Sequence, residues 1–173
     1  VGLIVCQWAK KLGATVIGTV GSDEKAALAS DNGCDYPIVY TRENFANRVL
    51  EITNGKKLPV VYDSVGKDTF EQSLDCLQPL GKMVSFGQSS GSIPPVDLGV
   101  FAQKGSLSFT RPTLFHFANN KERLDVMAKD LFDVVDSGDI QIRIDQEFPL
   151  EDAKAAHEQL EARTTTASTI LLP

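Results

Sequence analysis

"ATVIGTVGSDEKAALASDNGCDYPIVY", residues 14–40, sets two apolar runs on either side of a short helical stretch. "ATVIGTV" (14–20) is β-branched and of strand length. "DEKAALASDNG" (23–33) begins with acids and stops at Asn-Gly, the start and stop signals of a helix. "YPIVY" (36–40) is a second strand. A strand, a helix and a strand in so short a span make a crossover unit, which builds a parallel sheet.

The same alternation continues outward. Val1 to Leu12 reads as a helix closed by Gly13. "ENFANRVLEITNG" (43–55) is an amphipathic helix, "LPVVYDSVG" (58–66) a strand and "KDTFEQSLDCLQ" (67–78) a helix. "GKMVSFG" (81–87) and "SLSFTRP" (106–112) are two more strands, separated by a Gly-, Ser- and Pro-rich loop with one short helix. The long helix 119–138 carries Leu124, Met127, Leu131, Val134 and Val135 on one face, expected to be core. The tail reads as strand, helix, strand, with Ala153, Ala156, His157 and Leu160 on one packed helix face. The pattern predicts an α/β doubly wound parallel sheet over 1–143 and a strand-helix-strand over 144–173.

Composition narrows the function. The 173 residues are 42% hydrophobic and 23% charged, which describes a globular, soluble chain. A net charge of −6 disfavours a nucleic-acid partner, which is held by a basic face. No apolar run approaches the roughly 18 residues of a membrane span. Cys6, Cys34 and Cys76 are far apart in sequence, and neither His116 nor His157 sits at a ligand spacing from them. No metal site and no disulfide framework are therefore expected, and reduced thiols fit a cytoplasmic protein. The chain opens inside an element, without Met or leader, and is expected to be a fragment.

Ligands of an open parallel sheet bind at the carboxyl ends of its strands. Here those ends are Gly21-Ser22, Tyr40, Asp63-Ser64, Phe86-Gly87 and Thr110-Arg111. In an NAD site an acid at the end of the second strand, roughly 20 residues after the phosphate glycines, holds the adenosine ribose. Nineteen residues on from Gly2 stands Gly21, which leaves room where a carboxylate would repel a 2′-phosphate. Ser22 offers a hydroxyl and an N–H, and Lys25 a positive charge one turn on. Asp23 and Glu24 fit better as first-turn acids of the next helix. The stretch thus favours NADP over NAD and argues against a methyltransferase, which expects an acid at the same place. A capped helix with no ligand is the competing reading.

With "VVYDSVGKDTFEQSLDCLQPLGKMVSFGQSSG" (60–91), "GSLSFTRPTL" (105–114) and "FPLEDAKAAHEQLEARTTTASTILLP" (148–173), the chain resembles the cofactor half of an NADPH:quinone oxidoreductase. That family is the zinc-independent, zeta-crystallin-like branch of the medium-chain dehydrogenase/reductases. The likeness runs across essentially all of the chain and implies a Rossmann-type sheet in strand order 3-2-1-4-5-6. Its first strand, its glycine-rich loop and an N-terminal catalytic domain would precede Val1. The final strand "STILLP" would then pair with that absent domain.

The resemblance also implies roles. Val1-Gly2 would end the pyrophosphate loop. Lys25, Tyr40 and Arg163 would converge on the 2′-phosphate beside Gly21 and Ser22, and Ser64 would line the adenosine side. Phe86, Gly87 and Ser89 would flank the nicotinamide, with Thr110 nearby. Tyr40 and Phe86 also read as ordinary core aromatics, and Lys25 and Arg163 as surface charges. The implied activity is hydride transfer from NADPH to a quinone or an α,β-unsaturated carbonyl, with no catalytic residue assignable here and the fragment inactive alone. A non-catalytic NADP(H)-binding or sensing module is the alternative. The strand 106–112 is expected at a sheet edge, joining two copies in a homodimer.

Overall fold

A computed structural model describes residues 1–162 and 164–173. In chain order the first elements are α1 (Gly2–Lys11), β1 (Ile17–Val20), α2 (Asp23–Asp31), β2 (Tyr36–Val39) and α3 (Phe45–Ile52). Next come β3 (Leu58–Asp63), α4 (Phe70–Asp75), β4 (Leu77–Ser85), α5 (Gly99–Gln103), β5 (Ser108–Thr110) and α6 (Leu114–Phe117). The chain ends with α7 (Lys121–Asp136), β6 (Ile144–Pro149), α8 (Ala153–Glu161) and β7 (Ser168–Leu172). The expected alternation of strand and helix is present throughout.

The described strands form three sheets, in the orders β1-β2, β3-β4-β5 and β6-β7. In the 3-2-1-4-5-6 order implied by the resemblance, the first strand separates a two-strand flank from a three-strand flank. Within each sheet the neighbours follow that order, β1-β2 as its strands 2 and 3 and β3-β4-β5 as its strands 4, 5 and 6. The final strand β7, which showed no obvious partner in the sequence of this chain, lies parallel to β6 from Ile144↔Ser168 to Pro149↔Leu172.

The chain divides into two compact units, Val1–Pro37 with Ala128–Pro173, and Ile38–Met127. In the first, α1 ends where sequence predicts, with Gly13 at φ +81° and Lys10 and Lys11 in the last turn, where they complement the helix dipole. Gln7 anchors α1 by a reciprocal amide bridge. Its Nε2 donates to the Gln141 carbonyl at 3.1 Å, and its Oε1 accepts from the Gln141 N–H at 2.8 Å.

In the second unit β3, β4 and β5 are parallel, in register Val61↔Met83 and Met83↔Phe109. One face packs Leu77 and Met83 against Phe70, Leu74 and Leu107. Full burial of a leucine contributes about 2 kcal/mol, so this cluster holds the unit together. Phe109 extends it by an edge-on contact with Phe70 at 6.1 Å between ring centroids. Val60 and Tyr62, on the opposite face of β3, are 37% and 65% exposed.

Three expectations shift. β4 begins at Leu77 rather than 81, because the register slips between Leu58↔Leu77 and Val60↔Lys82. Pro79, Leu80 (φ +64°) and Gly81 form that irregularity and hide the strand start from a period-two reading. No residue of α7 is buried, so its apolar stripe is not core among the described residues. On α8 only Ala156 is buried, and His157 is exposed rather than packed.

Candidate functional site

In the first unit the site residues cluster around the start of α2. Ser22 is its N-cap, in extended conformation (φ −152°, ψ 167°), and its Oγ accepts from the Lys25 N–H at 3.3 Å. The same hydroxyl donates to the Glu24 carboxylate. That bond is the chief cause holding Glu24 below the ordinary glutamate value, with its own backbone N–H second. Asp23 and Glu24 are therefore helix-start acids, as their place in sequence suggested. Gly21 comes between the last strand residue and this cap, and Lys25 stands in the first turn.

Val1 caps α1 by position, exposed at 81%, and its carbonyl accepts from Val5 N–H at 3.1 Å. A side chain at Gly2 would meet nothing within 4 Å. The first turn of α1 contains no acid, so its outward N–H groups and dipole are left to attract an anion. Arg163 lies outside the described residues.

In the second unit the loops after β3 and β4 are interlocked. Gly87 runs so close to Ser64 that a Cβ there would lie 2.5 Å from the Ser64 carbonyl oxygen and 2.8 Å from its Cα. Phe86 N–H donates to the Asp63 carbonyl at 2.8 Å, and Ser89 N–H to the Ser64 carbonyl at 3.1 Å. The Ser90 N–H and hydroxyl both donate to the Val65 carbonyl, at 2.9 and 2.8 Å. Ser64, Phe86, Gly87 and Ser89 are thus brought together by backbone, with Phe86 41% exposed. Thr110 ends β5 opposite Val84, one register step before Ser85. Tyr40 follows β2, 49% exposed, and takes no part in this lacing among the described bonds.

Asp63 fixes the turn. Its side chain is buried at 4% exposure and accepts from the N–H groups of Val65 (2.7 Å) and Gly66 (3.0 Å). It also accepts from the hydroxyls of Thr69 (2.7 Å) and Ser73 (2.8 Å). Arg111 braces the other loop, donating from Nη1 to the Ser85 carbonyl at 2.9 Å and from Nη2 toward Gln88 Oε1 at 3.5 Å. A cleft of about 330 Å³ opens beside it, lined by Phe70, Ser85, Gly87, Phe101, Phe109 and Arg111. Ser85 Oγ is buried there without a hydrogen-bond partner among the described residues.

Sequence reading marked Asp63 and Arg111 only as strand ends and missed Gln88. The Asp-x-x-Gly spacing of 63–66 was the available signal, since an aspartate that ends a strand can tie the amides two and three residues on. Nothing comparable marks Arg111, whose partners lie 23 and 26 residues away in sequence.

The chain matches the zinc-binding dehydrogenase family over residues 1–131. The chain belongs to that family. It is 57% identical over 173 residues to a quinone oxidoreductase of Pseudomonas aeruginosa, covering 100% of this chain and 53% of the relative. A 2-haloacrylate reductase of a Burkholderia species is 47% identical over 176 residues, covering 99% of this chain and 52% of that one. The crystal structure of Escherichia coli quinone oxidoreductase complexed with NADPH superposes with a TM-score of 0.96 at 51% identity, covering 99% of this chain and 53% of that one.

Within the zinc-binding dehydrogenases the chain falls with the quinone oxidoreductases of the medium-chain dehydrogenase/reductases and corresponds to their Rossmann-type, cofactor-binding half. It spans about half the length of the curated relatives it matches. Among the described residues no group of three or more His, Cys, Asp or Glu side chains is placed to hold a metal ion. No described helix is long and apolar enough to cross a membrane.

Proposed function

We propose that this chain is the NADPH-binding half of a cytoplasmic, zinc-independent reductase that passes a hydride to a quinone or an α,β-unsaturated carbonyl. The observation that carries the reading is the likeness, along the whole of this chain and about half of theirs, to quinone oxidoreductases, one of them solved with NADPH. The donor set fits the cofactor's phosphate end: a glycine where an acid would repel, a serine N-cap and a lysine in the first helical turn. NADPH supplies the hydride when bound.

The residues of this chain bind and orient. Lys25 is the proposed contact of the 2′-phosphate, with Gly21 and Ser22 shaping the space around it; Tyr40, and Arg163 outside the described residues, are proposed as further contacts on the family resemblance alone. Val1 and Gly2 present the N-terminus of α1 to the pyrophosphate. Ser64 lines the adenosine side. Phe86, Gly87 and Ser89 hold the nicotinamide side with Thr110, on a loop pair kept rigid by Asp63. A quinone and a 2-haloacrylate share a C=C bond conjugated to a carbonyl, so hydride addition leaves negative charge on oxygen. Hydrogen-bond donors must stabilise that charge. None is assigned within this chain, and little turnover is expected of it alone. The open edge of β5, last in its sheet, is the proposed joining edge of a homodimer.

Titration of the chain with NADPH and NADH, followed by calorimetry, tests the reading. NADPH should bind at least tenfold tighter. Lys25→Glu should erase most of that preference, about 1.4 kcal/mol per tenfold, and leave NADH unchanged. Equal affinity for the two cofactors in the unmodified chain would overturn the assignment.

A further inference from the structure

Cys6 and Cys34 are 28 residues apart in sequence and belong to the same unit. Each thiol is near enough to shift the other's titration. Several independent features bring them together. Gly33, at φ +90°, passes so close to α1 that a Cβ there would lie 3.2 Å from the Cys6 carbonyl oxygen and 3.2 Å from Lys10 Cβ. One turn along α1, Lys10 forms an ion pair with Asp35, the neighbour of Cys34. Asp35 in turn accepts from the Val16 N–H at 2.9 Å. A Cβ on Gly18 would lie 3.0 Å from Cys34 Sγ, so the missing side chain makes room for the sulfur. While protonated, Cys34 Sγ also donates toward the Val16 carbonyl at 3.7 Å. Cys34 is 2% exposed and Cys6 half-buried.

The geometry points to Cys6 and Cys34 as an oxidation site, a dithiol that a hydroperoxide closes to a disulfide linking α1 to the turn before β2. The two sulfurs have unequal characters. The Cys6 S–H donates to Cys34, and with the Tyr36 and Gly18 amides this outweighs burial and lowers the Cys34 thiol to about 7. Cys6, as the donor, is pushed well above the ordinary thiol range. Cys34 is therefore the more readily ionised thiol of the pair and takes the nucleophile's part in the proposed reaction.

Its sulfur attacks the peroxide O–O bond, forming a sulfenic acid and releasing hydroxide. That hydroxide takes the proton from Cys6 and leaves as water. The Cys6 thiolate then attacks Cys34 Sγ, the S–S bond forms, and the sulfenic oxygen departs as hydroxide, protonated by solvent. The two thiols lose two electrons, and the peroxide gains them as two waters. Cys76 is the internal control. It is 2% exposed, and burial followed by the Asp75 charge pushes its thiol up to about 12.

The test is stoichiometric hydrogen peroxide on the folded chain near neutral pH, followed by alkylation, intact mass and peptide mapping. The expected result is loss of two hydrogens, one Cys6–Cys34 linked peptide pair, reversal by dithiothreitol, and Cys76 still alkylatable after unfolding. Cys6→Ser should stop the reaction at a dimedone-reactive sulfenic acid on Cys34. Cys34→Ser should leave Cys6 unoxidised at the same dose. Because the first measurement uses the unaltered chain, a misfolded variant does not decide the matter. Oxidation of Cys34 to sulfinic acid without a linked peptide, or Cys76 reacting first, would overturn the proposal.

Discussion

The stretch after β1 and the paired loops after β3 and β4 both sit at strand ends, yet they are built from opposite materials. Around Ser22 the backbone is an ordinary capped helix, and the chemistry resides in side chains projecting from its first turn. Around Ser64 and Gly87 the side chains matter less than the absence of one. Two backbones meet at a distance only glycine permits, and one buried carboxylate holds the turn. Substitutions should therefore change ligand preference at the first site and stability at the second.

The largest expected effect is at Asp63. Asp63→Ala strips the acceptor from two amides and two hydroxyls in a mostly buried setting. Unsatisfied buried donors cost about 1–3 kcal/mol each and are not additive, so a loss of about 3 kcal/mol is expected. For a chain of this size that lowers Tm by roughly 6–12 °C. Asp63→Asn keeps one acceptor oxygen for the amides and should recover about half of the loss. Thermal unfolding by circular dichroism measures both, and an Asp63→Ala chain melting with the parent would mean the turn is held by something else.

A smaller effect separates two glycines. Gly87→Ala pushes a methyl group into the Ser64 backbone, and overpacking of this kind costs about 1–3 kcal/mol. Gly2→Ala meets open space at the start of α1 and should be neutral or stabilising by up to about 1 kcal/mol, since alanine favours helix. Denaturant midpoints of the two variants test the contrast directly. If both shift the same way, the close approach at Gly87 is not the constraint inferred from it.

The same division explains what could be read in advance. β1, α2, β2 and β3 follow from local pattern, because β-branched runs, acids at a helix start and Asn-Gly stops act within a few residues. Ser22 and Lys25 were legible for the same reason. The start of β4 was not, since Pro79 to Gly81 interrupt the alternation and the pairing of Leu77 with Leu58 is long-range. The pairing of β7 with β6 was not legible, because a parallel pairing across α8 leaves no local mark on "STILL". Apolar periodicity on α7 identified a face able to be buried, and Leu124 remains 49% exposed. Asp63 and Arg111 stand where the strand-end rule pointed, but what they hold is decided by loops that meet only in three dimensions.

The smallest effect lies at Ser22. Ser22→Ala removes an N-cap bond, typically about 1 kcal/mol of helix stability. It also removes the hydroxyl that holds Glu24 below the ordinary glutamate value of 4.5. A carboxyl depressed in the folded chain stabilises it above the unfolded value, and that stabilisation disappears as pH falls through the folded value. The gap between parent and Ser22→Ala should therefore be widest near neutral pH and narrow in acid. It should not close, because the bond from Lys25 N–H to Ser22 Oγ carries no titrating group. An NMR titration of the Glu24 side chain makes the measurement, with its midpoint expected to rise toward 4.5 in the variant. An unchanged midpoint would show that the backbone N–H of Glu24, not the serine, sets the charge at this end of the site.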